Sequence, residues 1–146
     1  MAVPQIDYAA AFQNIPIPVL LLTTGFVIAD VNQTYLQVAG RTRDELLGAD
    51  VFAAFPDNPS DPEASGVRNL RASLRRVLAT GQPDVMPPQK HDVEVATGSG
   101  VFERRYWSQV NAPVLGPGGQ VVLIVHVAED VTDRVRKFVA VQIIGG

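Results

Sequence analysis

The chain has no cysteine, which removes disulfide scaffolding, thiolate zinc sites and a cysteine nucleophile at once. Its two histidines, His91 and His126, have no third ligand at a spacing that zinc uses. Excess charge is also small. A formal net charge of −3 gives no reason to expect nucleic acid or an anionic membrane as the main partner. The longest unbroken apolar run, Ile15–Leu22, is too short to span a bilayer. Met1–Asp7 lacks the basic start of a secretion signal, so a cytoplasmic location is expected. No internal repeat, low-complexity tract, glycine-rich phosphate loop or nucleophile elbow is visible. Asp92 stands beside His91, but neighbours on a strand point to opposite faces and would not share one substrate. An isomerase-type enzyme therefore remains only an alternative, and the chain is not expected to be an enzyme.

What is present suits one small domain: 146 residues, 47% hydrophobic, enough to bury a single core. The organising stretch is residues 26–48, FVIADVNQTYLQVAGRTRDELLG. Phe26–Val31 is an apolar, β-branched run that predicts a half-buried strand. Asn32 follows as an N-cap, Tyr35, Leu36 and Ala39 recur at helical spacing, and Gly40 stops that helix. Thr42 and Glu45 form a capping-box pattern ahead of Leu46-Leu47-Gly48.

Taken in order, residues 5–14 predict a short amphipathic helix with Ile6, Ala9, Ala10 and Phe12–Gln13 near its apolar side. Val19–Thr23 is the first strand, and Thr24-Gly25 turns it into Phe26–Val31 as a hairpin. Phe52 and Phe55 sit on a helical turn before Pro56–Ser65, a loop whose Pro, Asp and Ser content predicts mobility. Residues 66–80 make the strongest helix, with Val67, Leu70, Leu74, Val77 and Leu78 in one stripe. Arg68, Arg71, Arg75 and Arg76 lie mostly off it and read as a solvated face. Three strands follow: Val85–Val95, with Pro87-Pro88 confining its start to an edge or bulge, Val101–Leu115, and Gln120–Ala128 after the Gly116–Gly119 turn. The expected fold is α+β, with a five-stranded antiparallel sheet.

In the last strand both parities are apolar: Val122, Ile124 and Ala128 on one side, Val121, Leu123, Val125 and Val127 on the other. A strand buried on both faces needs cover on both. The helices between residues 32 and 80 cover one face only, so a homodimer is expected, with the residue 5–14 helix at or near its interface. His126 interrupts the first series, and His91 alternates with Val93 and Val95 and faces the same interior.

Val31-Asn32, Gly40 and Glu45-Leu46-Leu47-Gly48, with Asp130-Val131-Thr132 after the last strand, resemble the PAS (Per-Arnt-Sim) sensory family. The resemblance covers about residues 12–133 and is to PAS domains of the type found in bacterial sensor histidine kinases, with His126–Thr132 also similar to those of bacterial hybrid sensor kinases. It implies a PAS-like five-stranded sheet with short helices on one face, an N-terminal cap helix at 1–14, the sensory domain at 15–132 and an exit helix from 133. It also implies that Ala128 faces a ligand pocket, and by parity His126, Ile124 and Val122 with it. The family's register at Pro113 points Asn111, Gln109 and Trp107 the same way. With Tyr35, Phe52, Leu74 and His91 these are the candidate ligand-binding residues. The pocket reading and a closed core in which His126 and Asn111 satisfy each other both remain open.

The haem-binding branch carries its axial histidine on the long helix, where residues 66–80 have none, and the light-sensing flavin branch uses a cysteine. Haem, flavin and zinc are therefore not expected, and the ligand is unknown. Asp130 or Thr132 caps a helix from about Asp133, along which Val135, Phe138, Val139 and Gln142 recur near heptad spacing. The resemblance implies that this helix relays a signal to an effector such as a histidine kinase, within a two-component system. The chain would be a module excised from a longer protein or acting in trans.

Overall fold

The computed structural model describes residues 2–145. Its architecture grows from one side chain, Asn32, which is fully buried. β1 (Val19–Leu22) and β2 (Ile28–Val31) form an antiparallel pair that ends at this residue. Asn32 Oδ1 accepts from the Tyr35 amide at 3.0 Å, capping α2 (Gln33–Ala39), and from the Val19 amide at 3.0 Å. Its Nδ2 donates to the carbonyls of Ile15 and Ile17 at 3.2 and 2.8 Å. One amide thus fixes where the first strand starts and where the first sheet-covering helix begins. Gly40 ends α2 at φ 63°, a left-handed position that a side chain disfavours. Thr42 Oγ1 then accepts from the Glu45 amide and caps α3 (Arg43–Leu46), as the capping-box pattern predicts. α4 (Val51–Ala54) is capped by Asp50, and α5 (Gly66–Thr80) ends at Gly81.

The apolar stripe of α5 packs onto the sheet. Leu20, Leu22, Ile28, Val31, Leu46, Val51, Leu74, Val77 and Ile124 form the closed core. Each large aliphatic side chain taken fully out of water there contributes about 1.5–3 kcal/mol before entropy is charged against it. Off the stripe, the Arg71 guanidinium lies 4.3 Å from the Phe52 ring centroid, and Arg76 pairs with Asp84. Two of the four arginines therefore have specific partners.

The sheet is antiparallel, in the order β2-β1-β8-β7-β3, where β7 is Tyr106–Leu115, β8 is Val121–Asp130 and β3 is Asp84–Val85. The expected strand Val85–Val95 is broken into β3, β4 (Gln89–Lys90) and β5 (Val93–Glu94). Pro87-Pro88, which offers no amide to the ladder, separates the first two, and both pair with β7. β5 leaves the sheet and pairs instead with β6 (Phe102–Glu103), so the expected Val101–Leu115 strand begins at Tyr106. Two bulges also correct the sequence reading. Ala29 is the extra residue between Ile28 and Asp30 opposite β1, and Val122 is the extra residue between Val121 and Leu123 opposite β7. The second bulge turns Val122 outward, 47% exposed, whereas strict alternation pointed it into the pocket.

The outer sheet face is apolar and only half covered. Val110 pairs with Val127, Ala112 with Val125 and Val114 with Leu123, one row beside Leu21 of β1. Leu115 and Val85 at its margins are exposed. The N-terminal helix α1 (Tyr8–Gln13) starts later than expected, at an Asp7 cap, and none of its residues is buried. Gln13 Nε2 ties its end to the Val31 carbonyl at 3.1 Å. The loop expected to be mobile is held at several points. Asp57 Oδ1 accepts from the Val67 amide, Asn58 Nδ2 donates to Asp92, and Lys90 Nζ donates to Asp61 Oδ2 at 2.6 Å.

α6 (Thr132–Gly145) leaves the end of β8 through a clasp. Asp130 Oδ1 accepts from the Thr132 amide and hydroxyl at 2.9 and 2.5 Å, while Thr132 Oγ1 accepts from the Tyr106 amide at 2.9 Å. Beyond it Phe138, Val139, Val141 and Ile143 are exposed. No helix among the described residues is long and apolar enough to cross a membrane.

Candidate functional site

Above the closed core, α2, α4, the start of α5 and the β4–β5 segment roof a cavity of about 50 Å³. That is room for about three or four water molecules, or for a small organic molecule of a few heavy atoms. Its floor is the inner row of β7 and β8. Tyr35, Phe52, His91, Trp107, Gln109, His126 and Ala128, all named from the sequence, line it. Leu74 and Ile124 do not; they are fully buried in the aliphatic core below. Asn111, also fully buried, stands behind His126 rather than in the lining. Pro18, Val38, Ala39, Val51, Phe55, Gly66, Val67, Leu70, Gln89 and Val93 complete the wall, none of them a site candidate from the sequence.

His126 is held by pairing of β8 with β1 opposite Leu20 and with β7 opposite Asn111. Its Nδ1 lies 2.7 Å from Asn111 Oδ1. Asn111 Nδ2 donates to Ser73 Oγ at 2.8 Å, and Ser73 Oγ donates to Asp84 Oδ2 at 2.5 Å. Arg76 closes the series at the surface, its Nε and Nη2 donating to the two Asp84 oxygens at 3.0 and 2.9 Å. A polar line therefore runs from the cavity through the sheet–helix interface to solvent. Burial lowers the His126 pKa to about 4, so the imidazole is neutral at physiological pH. Asp84 is held below the usual carboxylate range, first by Arg76 and then by Ser73.

Across the cavity the Tyr35 ring stacks edgewise on Phe55, centroids 5.7 Å apart, and burial pushes its hydroxyl pKa well above the ordinary value. Gln109 Oε1 accepts from Gln89 Nε2 at 2.7 Å. Trp107 Nε1 donates to the His91 carbonyl at 2.9 Å, and the His91 ring lies with Nδ1 3.4 Å from Asp57 Oδ1. Burial lowers the His91 pKa against the opposing pull of Asp57. This ring occupies the space above Gly66, where an added Cβ would fall 2.0 Å from His91 Nδ1. Asp92 turns away to Asn58 and Lys90, so it and His91 address different partners. Among the described residues no group of three or more His, Asp or Glu side chains is placed to hold a metal.

Ser73 was the functional-looking residue most open to discovery from the sequence. It sits three residues after Leu70 and four before Val77, so it shares the buried face of α5, where a hydroxyl needs a partner. Gly66 and Gln89 carried no such signal, since their place depends on how the β4–β5 segment folds back over the helix start.

A family model described as the PAS fold matches residues 12–136. No curated protein matches the chain. Among solved structures, a PAS domain from Colwellia psychrerythraea is similar at 13% identity and TM-score 0.67, over 86% of this chain and 95% of that one. The PAS domain of a LuxR-family transcriptional regulator from Burkholderia thailandensis, in complex with ethanol, is 20% identical with TM-score 0.60, over 86% and 97%. An RNA-binding light-oxygen-voltage receptor is similar at 15% identity and TM-score 0.70, over 94% of this chain but 36% of that one. The sheet order, the capped helices over its inner face and the family match across residues 12–136 agree: the chain belongs to the PAS family of sensory and signalling domains.

Proposed function

We propose that this domain is a cytoplasmic sensory input module that admits a small molecule to the cavity beside His126 and passes the change along β8 into α6. The observation that carries this reading is the cavity itself: an apolar wall containing a few polar groups, set on the strand that continues into the exit helix. The volume favours a ligand much smaller than a flavin or a haem. In keeping with that, one similar PAS domain is described in complex with ethanol. His126 and Ala128 lie on β8 only a few residues before the Asp130–Thr132 clasp. A shift of β8 relative to β7 would strain the Thr132–Tyr106 hydrogen bond and tilt α6. The ligand can drive this only by as much as it binds one arrangement better than the other.

The half-covered row Leu21, Val110, Ala112, Leu123, Val125 and Val127 supports a homodimer through the outer sheet face, with α1 near its edge. The exposed apolar residues of α6 support pairing of exit helices toward an effector, with a histidine kinase the favoured class. A ligand-free dimerisation module is the second reading, favoured by the His126–Asn111 hydrogen bond, which forms without any ligand. Native mass spectrometry of the purified protein, with headspace analysis of what heat denaturation releases, separates the two. A dimer that releases a stoichiometric small molecule supports sensing; a dimer that releases nothing and gains no thermal stability from any small-molecule panel supports the second reading. A monomer removes the dimer from both.

A further inference from the structure

The direction of the hydrogen bonds behind His126 is fixed from the far end. Asp84, ionised and clamped by both Arg76 donors, can only accept. Ser73 must therefore spend its one proton on Asp84, which leaves its oxygen as the acceptor for Asn111. That sets the Asn111 amide with Nδ2 toward Ser73. Met86 Sδ, a weak acceptor, lies 3.5 Å from the same nitrogen and agrees with that orientation without enforcing it. Asn111 Oδ1 then faces His126 Nδ1 at 2.7 Å, so the neutral ring carries its proton on Nδ1. Nε2 is left as a bare lone pair with no hydrogen-bond partner among the described residues, on a ring that lines the cavity. The Tyr35 hydroxyl can donate or accept, and Gln109, whose Oε1 is taken by Gln89, offers Nε2 as a donor, so both serve a hydroxyl as well as a ketone. His126 discriminates.

We infer that the cavity prefers a small neutral molecule that donates a hydrogen bond to His126 Nε2, a hydroxyl or N–H on a short apolar body, over isosteres that only accept. This rests on the reading that the cavity takes a small molecule. An acceptor such as a ketone would meet lone pair against lone pair, leaving a buried polar group unpaired, and such mismatches are what sharpen specificity in closed sites.

The test uses protein with ¹⁵N-labelled histidine and two probes of matched shape, 2-butanol and 2-butanone. In the probe-free protein the His126 spectrum should show the Nδ1–H tautomer. Adding 2-butanol should move the Nε2 resonance, with binding at least tenfold tighter than for 2-butanone. In Asp84→Asn the new amide can donate to Ser73, the chain can reverse, and the preference should fall several-fold; Ser73→Ala, which cuts the chain elsewhere, should do the same. An Nε2–H tautomer, or equal or ketone-favouring binding, overturns the inference while leaving the sensory reading intact. If neither probe disturbs any cavity resonance at millimolar concentration, the inference is also overturned, while the sensory reading stands or falls on the native mass spectrometry and the small-molecule panel.

Discussion

Mild acid should weaken this fold through one buried ring, His126. His126 takes up a proton near 6.5 in the unfolded chain and near 4 in the folded one, because burial disfavours the charged ring. Between those values the unfolded chain holds the extra proton, so each pH unit of acidification costs about 1.4 kcal/mol of stability. Over the whole interval the loss is about 3 kcal/mol, a large part of the roughly 5–15 kcal/mol that holds a domain together. The contribution is complete above pH 6.5, declines as the pH falls to 4, and levels off below it. His91, also lowered by burial, adds to the same slope. Asp84, Asp61 and Glu45 are lowered from ordinary values of 3.8 to 4.5, so their share is lost mostly at more acid pH. Urea denaturation from pH 7 to 4.5 reads most of this: about 2.5 kcal/mol moves the midpoint by about 1–2 M at typical urea slopes. His126→Gln is the control, since its amide can still donate to Asn111 Oδ1 but cannot titrate. Its profile should be flatter by the His126 share. A wild-type midpoint that stays level, or a His126→Gln slope equal to wild type, would refute the buried neutral imidazole.

Two further substitutions probe the frame around the site. Asn32→Ala removes the helix cap and leaves the Val19 amide and the Ile15 and Ile17 carbonyls without their partner. A loss of about 3 kcal/mol or more is expected, seen as a fall in thermal midpoint of about 10 °C; a loss under about 1 kcal/mol would show that water replaces the amide. Gly66→Ala drives a methyl into the His91 ring. Overpacking of about 1–3 kcal/mol should outweigh the helix-propensity gain of about 1 kcal/mol, and the displaced ring should titrate closer to an ordinary imidazole by NMR. An unchanged His91 titration with unchanged stability would place that ring elsewhere.

The parts of this architecture that were legible in the sequence are those with a local chemical signature. Asn32, Gly40 and the Thr42–Glu45 pair each satisfy backbone groups within a turn, so their residue types announce their positions. The inward row Trp107, Gln109, His126 and Ala128 followed from the resemblance together with the two-residue period, and all four line the cavity. Bulges defeat such counting. One extra residue at Val122 leaves no mark on composition yet puts Val122 and the hairpin tip out of phase with Ile124, His126 and Ala128. The broken β3–β5 segment was half legible, since Pro87-Pro88 flagged an edge but not the departure of Val93–Glu94 to pair with Phe102–Glu103. The boundary between cavity and solid core was not legible at all. Leu74 and Ile124 carry the same pattern as residues of the lining, and only three-dimensional packing places them beneath it. Ser73 and Asp84 are eleven residues apart and meet because α5 returns along β3.

The bulge at Val122 also uncouples the hairpin tip from the cavity floor. From Ile124 onward the phase of β8 is held by β1, through Leu22 opposite Ile124 and Leu20 opposite His126. Residues inserted at Gly116–Gly119 would thus be absorbed before they could rotate His126 out of place. That tip is where a fluorophore, affinity handle or donor–acceptor pair can be grafted to test whether the strand shifts, without disturbing the cavity.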